Sequence, residues 1–221
     1  MQLNRPQDTN ITKLRSEGQE IETVDDFKYL GSYIGSTTKD INNRIALAWA
    51  AFSKLKPILK ANRPSLEFKM RLFNAACISV LLYGCETWVL TESLAKKLDV
   101  FARTCYRIIL NVRQAETHIT NQELYKQTKQ LPVRELVRKR QLQFTGHCLR
   151  MNKEEYANIY ALYKSEVGQN SVGRPKETYL DQISRYVSGD KRIKLTADEI
   201  TRKALDKEVW NHVVALKKPA R

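Results

Sequence analysis

From Asp40 onward, apolar residues return at helical intervals. Ile41, Ile45, Ala48, Phe52, Leu55 and Leu59 fall on a narrow arc of a 3.6-residue helix, which Asn62, Arg63 and Pro64 then stop. Ser65, placed ahead of Phe68, predicts the N-cap of a second helix. Met70, Phe73, Ala76, Cys77, Val80 and Leu81 make its C-terminal half apolar on nearly every side, so it should be the central buried helix. Leu94, Leu98, Phe101, Cys105 and Ile108 alternate steps of four and three, the seam of a bundle helix, with Lys96, Lys97, Arg103 and Arg107 on its other faces. Asn111 to Thr120 reads as a connection and Asn121 to Lys129 as a short helix. Pro132 sits in the first turn of a helix running to about Met151. Residues 153–165 are expected to continue as helix. Thr196-Ala197-Asp198-Glu199 is a capping box that opens one final helix, with Ile200, Ala204, Trp210 and Val213 along it.

Before Asp40 the period is two. Phe27, Tyr29 and Tyr33 alternate with Lys28 and Ser32, predicting two short strands over Ile21 to Ile34. Their turn is expected near Asp25-Asp26, with Gly31 interrupting and Gly35 ending the run. Residues 1–20 are polar and should lack regular structure. A lone hairpin is marginal in water, so these strands should belong to a larger sheet and the chain should be the back end of a longer protein. The expected fold is mainly α: a short N-terminal β-hairpin, a helical bundle, then a basic C-terminal helical segment. Segment boundaries fall at 1–38, 39–115, 116–167 and 168–221, with Gly168 to Pro175 the clearest linker.

Charge adds a partner class. The 221 residues carry 38 Lys and Arg against 24 acids, a formal +14. Such an excess points to a polyanion, most simply nucleic acid, because neutralising phosphates releases condensed counterions. Arg134, Arg138, Lys139, Arg140 and Arg150 form one patch with Glu135 among them. Arg134 and Arg138, one turn apart, should present a basic edge to a phosphate track. Lys54, Lys56, Lys60 and Arg63 form a second, which also complements the negative end of the first helix. For each patch a solvated outer face is the competing explanation.

Cys77, Cys85, Cys105 and Cys148 share no tight spacing and read as buried, reduced thiols rather than a disulfide frame. Zinc would ask for paired ligands such as Cys-x₂₋₄-Cys, and the adjacent His147-Cys148 are awkward joint ligands, so no metal site is expected. His118 and His212 lack a neighbouring nucleophile, and Trp49, Trp88 and Trp210 read as packing anchors. No stretch of about 18 apolar residues and no signal-peptide core is present, so no membrane partner is expected.

Five motifs in order carry a resemblance: Phe27-Lys28-Tyr29-Leu30-Gly31, Leu81 to Trp88, Ile119-Thr120-Asn121, Gly146-His147-Cys148-Leu149-Arg150-Met151 and Gly173-Arg174-Pro175. Together, over about residues 21–180, the chain resembles the C-terminal third of a non-LTR (LINE-type) retrotransposon reverse transcriptase. The resemblance implies that the first motif ends the palm near the primer strand, with Phe27, Tyr29 and Gly31 in a primer-grip-like role. It implies that the following helices form the thumb, and that Gly146 to Met151 lies in the segment beyond. The parent activity is RNA-directed DNA synthesis with Mg²⁺ in a palm that this chain lacks. Asp25-Asp26 does not replace that centre: Thr23 stands where an aromatic residue belongs, and two-metal chemistry needs further carboxylates. The chain departs from relatives with a Cys/His zinc knuckle.

Expected partners are an RNA–DNA hybrid, template RNA or target DNA, together with the upstream palm and fingers, in an intracellular protein of cytoplasm and nucleus. By itself the chain should bind template-primer without polymerising, and it should need no cofactor. A stand-alone nucleic-acid-binding or protein-interaction module derived from such an element, or a decayed fragment, are the alternatives.

Overall fold

Ser36 starts the helical part of the chain. Its hydroxyl accepts the Lys39 amide at 3.3 Å, and α1 runs Thr37–Lys60. In the computed structural model, residues 15–16, 19–20, 24, 27–113, 117–163, 177–190 and 192–215 are described. The Asp25-Asp26 pair and the expected linker from Gly168 to Pro175 lie outside them. α1 buries Ile41, Ala48, Phe52 and Leu59 on the predicted arc, and Asp40 and Arg44 with them. Ser65 caps α2, Leu66–Phe73, through a 3.2 Å bond from the Phe68 amide. The chain then widens into a π turn, Asn74–Ile78, before a short α3, Ser79–Leu81. The extra residue of a π turn lets Phe73, Cys77, Ile78 and Leu81 all be buried, which an apolar run alone does not predict.

α4, Glu92–Ile109, buries Leu94, Leu98, Phe101 and Cys105 of the expected seam and leaves Ile108 half-buried. α5, Asn121–Thr128, opens on a capping box of Thr120 and Glu123. α6, Val133–Leu149, follows Pro132. Of the helix expected over residues 153–165, the described part forms α7, Tyr156–Tyr160, which buries none of its residues and so has little to hold it longer; residues 164 and 165 lie outside the described ones. α8, Tyr179–Ser188, was hidden in the sequence between linker and final helix; Thr178 and Asp181 form its capping box. The final helix is two, α9 (Ala197–Leu205) and α10 (Lys207–Val214). Asp206 breaks it, because its carboxylate accepts the Glu208 and Val209 amides in place of the helix's own bonds.

The N-terminal strands are two separate hairpins. β1 (Arg15–Ser16) pairs with β2 (Gln19–Glu20), where no regular structure was expected. β3 (Phe27–Tyr29) pairs with β4 (Ser32–Ile34), Lys28 opposite Tyr33. The turn therefore falls at Leu30-Gly31 and not near Asp25-Asp26. Both turn residues have positive φ, 45° and 85°, as a two-residue hairpin of right-handed twist requires. Gly31 takes this without strain; Leu30 does so at a cost of roughly 1 kcal/mol.

Two apolar clusters fill the interior. One joins α1 to α5 and the start of α6, around Phe52, Phe73, Phe101 and Tyr106 meeting edge-on or stacked. The other gathers Leu142 and Leu149 of α6 with Ile183, Ile200 and Trp210. α6 is the strut between them.

All four cysteines are buried and free. Burial pushes the Cys77 thiol up to about 11 and Cys85 to about 12, and raises Cys105 and Cys148 as well. Disulfide-exchange reagents at pH 8 should therefore leave the folded protein untouched and titrate all four thiols only after urea is added. These acids keep their protons in the fold and lose them near pH 9 when unfolded. Their contribution to stability is thus full below about pH 8.5 and lost as pH rises from 9 toward 11 and 12. Half-buried Tyr179, pushed to about 12, acts in the same direction. The urea midpoint should fall between pH 8 and 10.5, and Cys85→Ala should flatten part of that fall.

Candidate nucleic-acid interface

Two of the five motifs meet at one junction. Asp40, near the start of α1, is 2% exposed. Its carboxylate accepts the Tyr33 amide at 3.0 Å, the Ser32 hydroxyl at 3.3 Å and the Trp88 indole N–H at 2.8 Å. One turn on, Arg44 donates to the Gly31 carbonyl and lays its guanidinium 4.2 Å from the Tyr83 ring centroid. Tyr83 returns its own hydroxyl to the Leu30 carbonyl at 2.9 Å. Gly84, at φ +75°, lies so close to Ser32 that an added Cβ would come within 2.6 Å of its hydroxyl oxygen. The hairpin tip is thus held by α1 and by the segment after α3.

The same segment is held from the other side by α6. The Gln141 amide donates to the carbonyls of Cys85 and Trp88 at 2.9 and 2.7 Å. The Gln182 amide, from α8, donates to Trp88 at 3.1 Å and to Gln141 at 2.6 Å, and its oxygen accepts the Leu90 amide. Both glutamines are fully buried, so this network satisfies backbone groups that could not otherwise leave water. Farther along α6, Gly146 faces the indole of Trp210, whose N–H donates to the Leu142 carbonyl at 2.9 Å. In the Gly146 to Met151 motif, glycine permits the close approach, Cys148 and Leu149 are buried, and Arg150 donates to the Ala204 carbonyl at 2.9 Å.

The expected primer-grip side chains face outward. Phe27 and Tyr29 are 47% and 56% exposed, while Gly31 forms the turn and supplies its carbonyl to Arg44. Behind them, Lys28 and Lys39 both approach the Tyr33 ring, at 5.8 and 4.9 Å from its centroid.

The α6 patch is not the open basic edge that its spacing predicts. Arg134 pairs with buried Asp99 at 2.6 Å and with Glu92 at 2.9 Å. Arg138, with a side chain only 12% exposed, pairs with Glu135 and donates to the Val213 and Ala215 carbonyls at the end of α10. Arg140 donates to the Leu82 carbonyl and lies 3.8 Å from Glu86. These three arginines tie helices together, and a guanidinium already committed to carboxylates and carbonyls has few donors left for phosphate. Lys139 is half-buried. Lys54, Lys56, Lys60 and Arg63 instead are all exposed, and among the described residues none of the four makes an ion pair. They leave the end of α1 as a free basic surface.

Sequence reasoning passed over Asp40 and Arg44. The signal was available: Asp40, Arg44, Ala48 and Phe52 follow one another in steps of four, so two charges sit on a row that becomes core. Gln141 and Gln182 gave no comparable signal, being ordinary polar residues on helices. Among the described residues, no three His, Cys, Asp or Glu side chains converge where they could hold a metal ion. No helix of the described residues is long and apolar enough to cross a membrane. No protein-family model, no curated protein and no solved structure matches the chain.

Proposed function

We propose that this chain is the thumb-side portion of a LINE-type reverse transcriptase, a helical grip on the backbone of an RNA–DNA template-primer that does not itself polymerise. One observation carries the reading. Two of the motifs that give the resemblance, Phe27 to Gly31 and Leu81 to Trp88, are far apart in sequence yet interlock around Asp40, Arg44 and Tyr83, and Gln141 ties the second of them to α6, so these pieces form one structural unit. In a polymerase that unit would fix the primer-side hairpin against the thumb, with Phe27 and Tyr29 outward and the Lys54–Arg63 surface on a flanking helix. The excess of positive charge supplies affinity without base reading.

The test is a salt series. Wild-type chain should bind an RNA–DNA hybrid, with log K falling linearly against log salt. Replacing Lys54, Lys56 and Lys60 with glutamine should lower that slope by roughly 2 to 3, at ~0.9 per contact on B-form duplex, and weaken unrelated sequences alike. An unchanged slope assigns this surface to solvation. Arg134→Gln and Arg138→Gln should instead lower the melting temperature, because their partners are internal.

A further inference from the structure

Resting on that nucleic-acid reading, we infer that α7 and the residue cluster after it form a stacking platform for the unpaired bases of a single strand. Tyr156, Ile159, Tyr160 and Tyr163 are 78%, 48%, 59% and 62% exposed, a run of surface rich in aromatic rings. The three tyrosines form a ladder. Tyr156 and Tyr160 lie 6.4 Å apart between ring centroids with planes 20° from parallel, and Tyr163 meets Tyr160 edge-on at 5.6 Å. The near-parallel rings present exposed π-faces on which a base can stack.

Placement supplies the second reason. Asn158 fixes α7 to the end of α6 by donating to the Leu149 and Met151 carbonyls at 3.2 and 3.0 Å. At that same end Arg150 holds the end of α9, whose last turn carries exposed Arg202 and Lys203. Arg150 and Lys153 precede α7 in sequence beside Glu154 and Glu155, and exposed Arg202 and Lys203 stand on the turn that Arg150 holds, in a chain of formal charge +14. Aromatic faces beside an excess of cations suit a polyanion with planar bases. Duplex bases are already stacked and cannot use the rings, which makes a single strand the occupant.

The experiment compares the full chain with Tyr160→Phe, Tyr160→Leu and the Tyr156→Ala/Tyr160→Ala pair, using a fluorescein-labelled oligouridylate and an RNA–DNA hybrid of equal length. The pair should lose about tenfold or more in single-strand affinity, with hybrid affinity and the single-strand salt slope unchanged, since stacking releases no counterions. Tyr160→Phe should bind like wild type and Tyr160→Leu should not. If the pair binds the single strand as wild type does, or if leucine serves as well as phenylalanine, the platform is overturned while the backbone grip stands. If wild type binds neither probe, the nucleic-acid reading falls with it. Concentration-dependent self-association that the pair abolishes, without loss on oligouridylate, would overturn the platform and make this face a protein contact.

Discussion

Asp40→Ala is expected to cost about 4 kcal/mol and to release the β3–β4 hairpin from the helices. The substitution strands the buried Trp88 indole N–H, at a cost of up to about 3 kcal/mol, and the half-buried Tyr33 amide, at about 1 kcal/mol. It also frees the Ser32 hydroxyl, the side-chain contact that brings β4 beside Gly84. Urea unfolding should show the lower stability. Hydrogen exchange should show amides of residues 27–34 opening at rates close to free peptide, while those of α4 speed up only by the global change. Asp40→Asn keeps an acceptor and should lose about half as much. Should Asp40→Ala melt like wild type with the hairpin still protected, the junction is not held through this carboxylate.

Gly146→Ala should be nearly as damaging for a different reason. Its new methyl would fall on the Trp210 indole, within 2.6 Å of Cδ1, and the indole cannot yield without leaving the Leu142 carbonyl. Overpacking and the broken bond together should cost about 3 kcal/mol, lowering the melting temperature by roughly 6–12 °C. Trp210→Phe removes the N–H and part of the ring, so the double variant should recover some of that loss. A double-mutant cycle reads this coupling directly. Additive losses would mean that helices α6 and α10 shift apart instead of colliding.

The helical skeleton was legible because it rests on local signals. The α1 arc, the Ser65 cap, the α4 seam and the Thr196 capping box each involve residues within a turn or two of one another, and each is where the pattern placed it. What stayed hidden was set by distant partners. Gly31 could have interrupted a strand or made a turn, and Arg44 and Tyr83 are what fasten it as the turn. Spacing identified Arg134 and Arg138 as a basic row. It could not show that Asp99, on another helix 35 residues earlier, neutralises the first of them. The Lys54–Arg63 surface looked like the weaker patch because its charges also suit a helix end, yet it is the one left open to solvent.

The glutamine network also bears on how the chain emerges from a ribosome. The Leu90 amide finds its acceptor on Gln182, 92 residues later, and the Trp88 carbonyl is reached by two side chains from 53 and 94 residues downstream. At 5–20 residues per second, the first helices wait roughly 5–20 s for the groups that complete their interior. During that interval the Cys85 to Leu90 backbone must stay hydrated or be shielded by a chaperone. Nascent chains stalled before α8 should therefore be far more sensitive to protease near Trp88 than chains stalled after it.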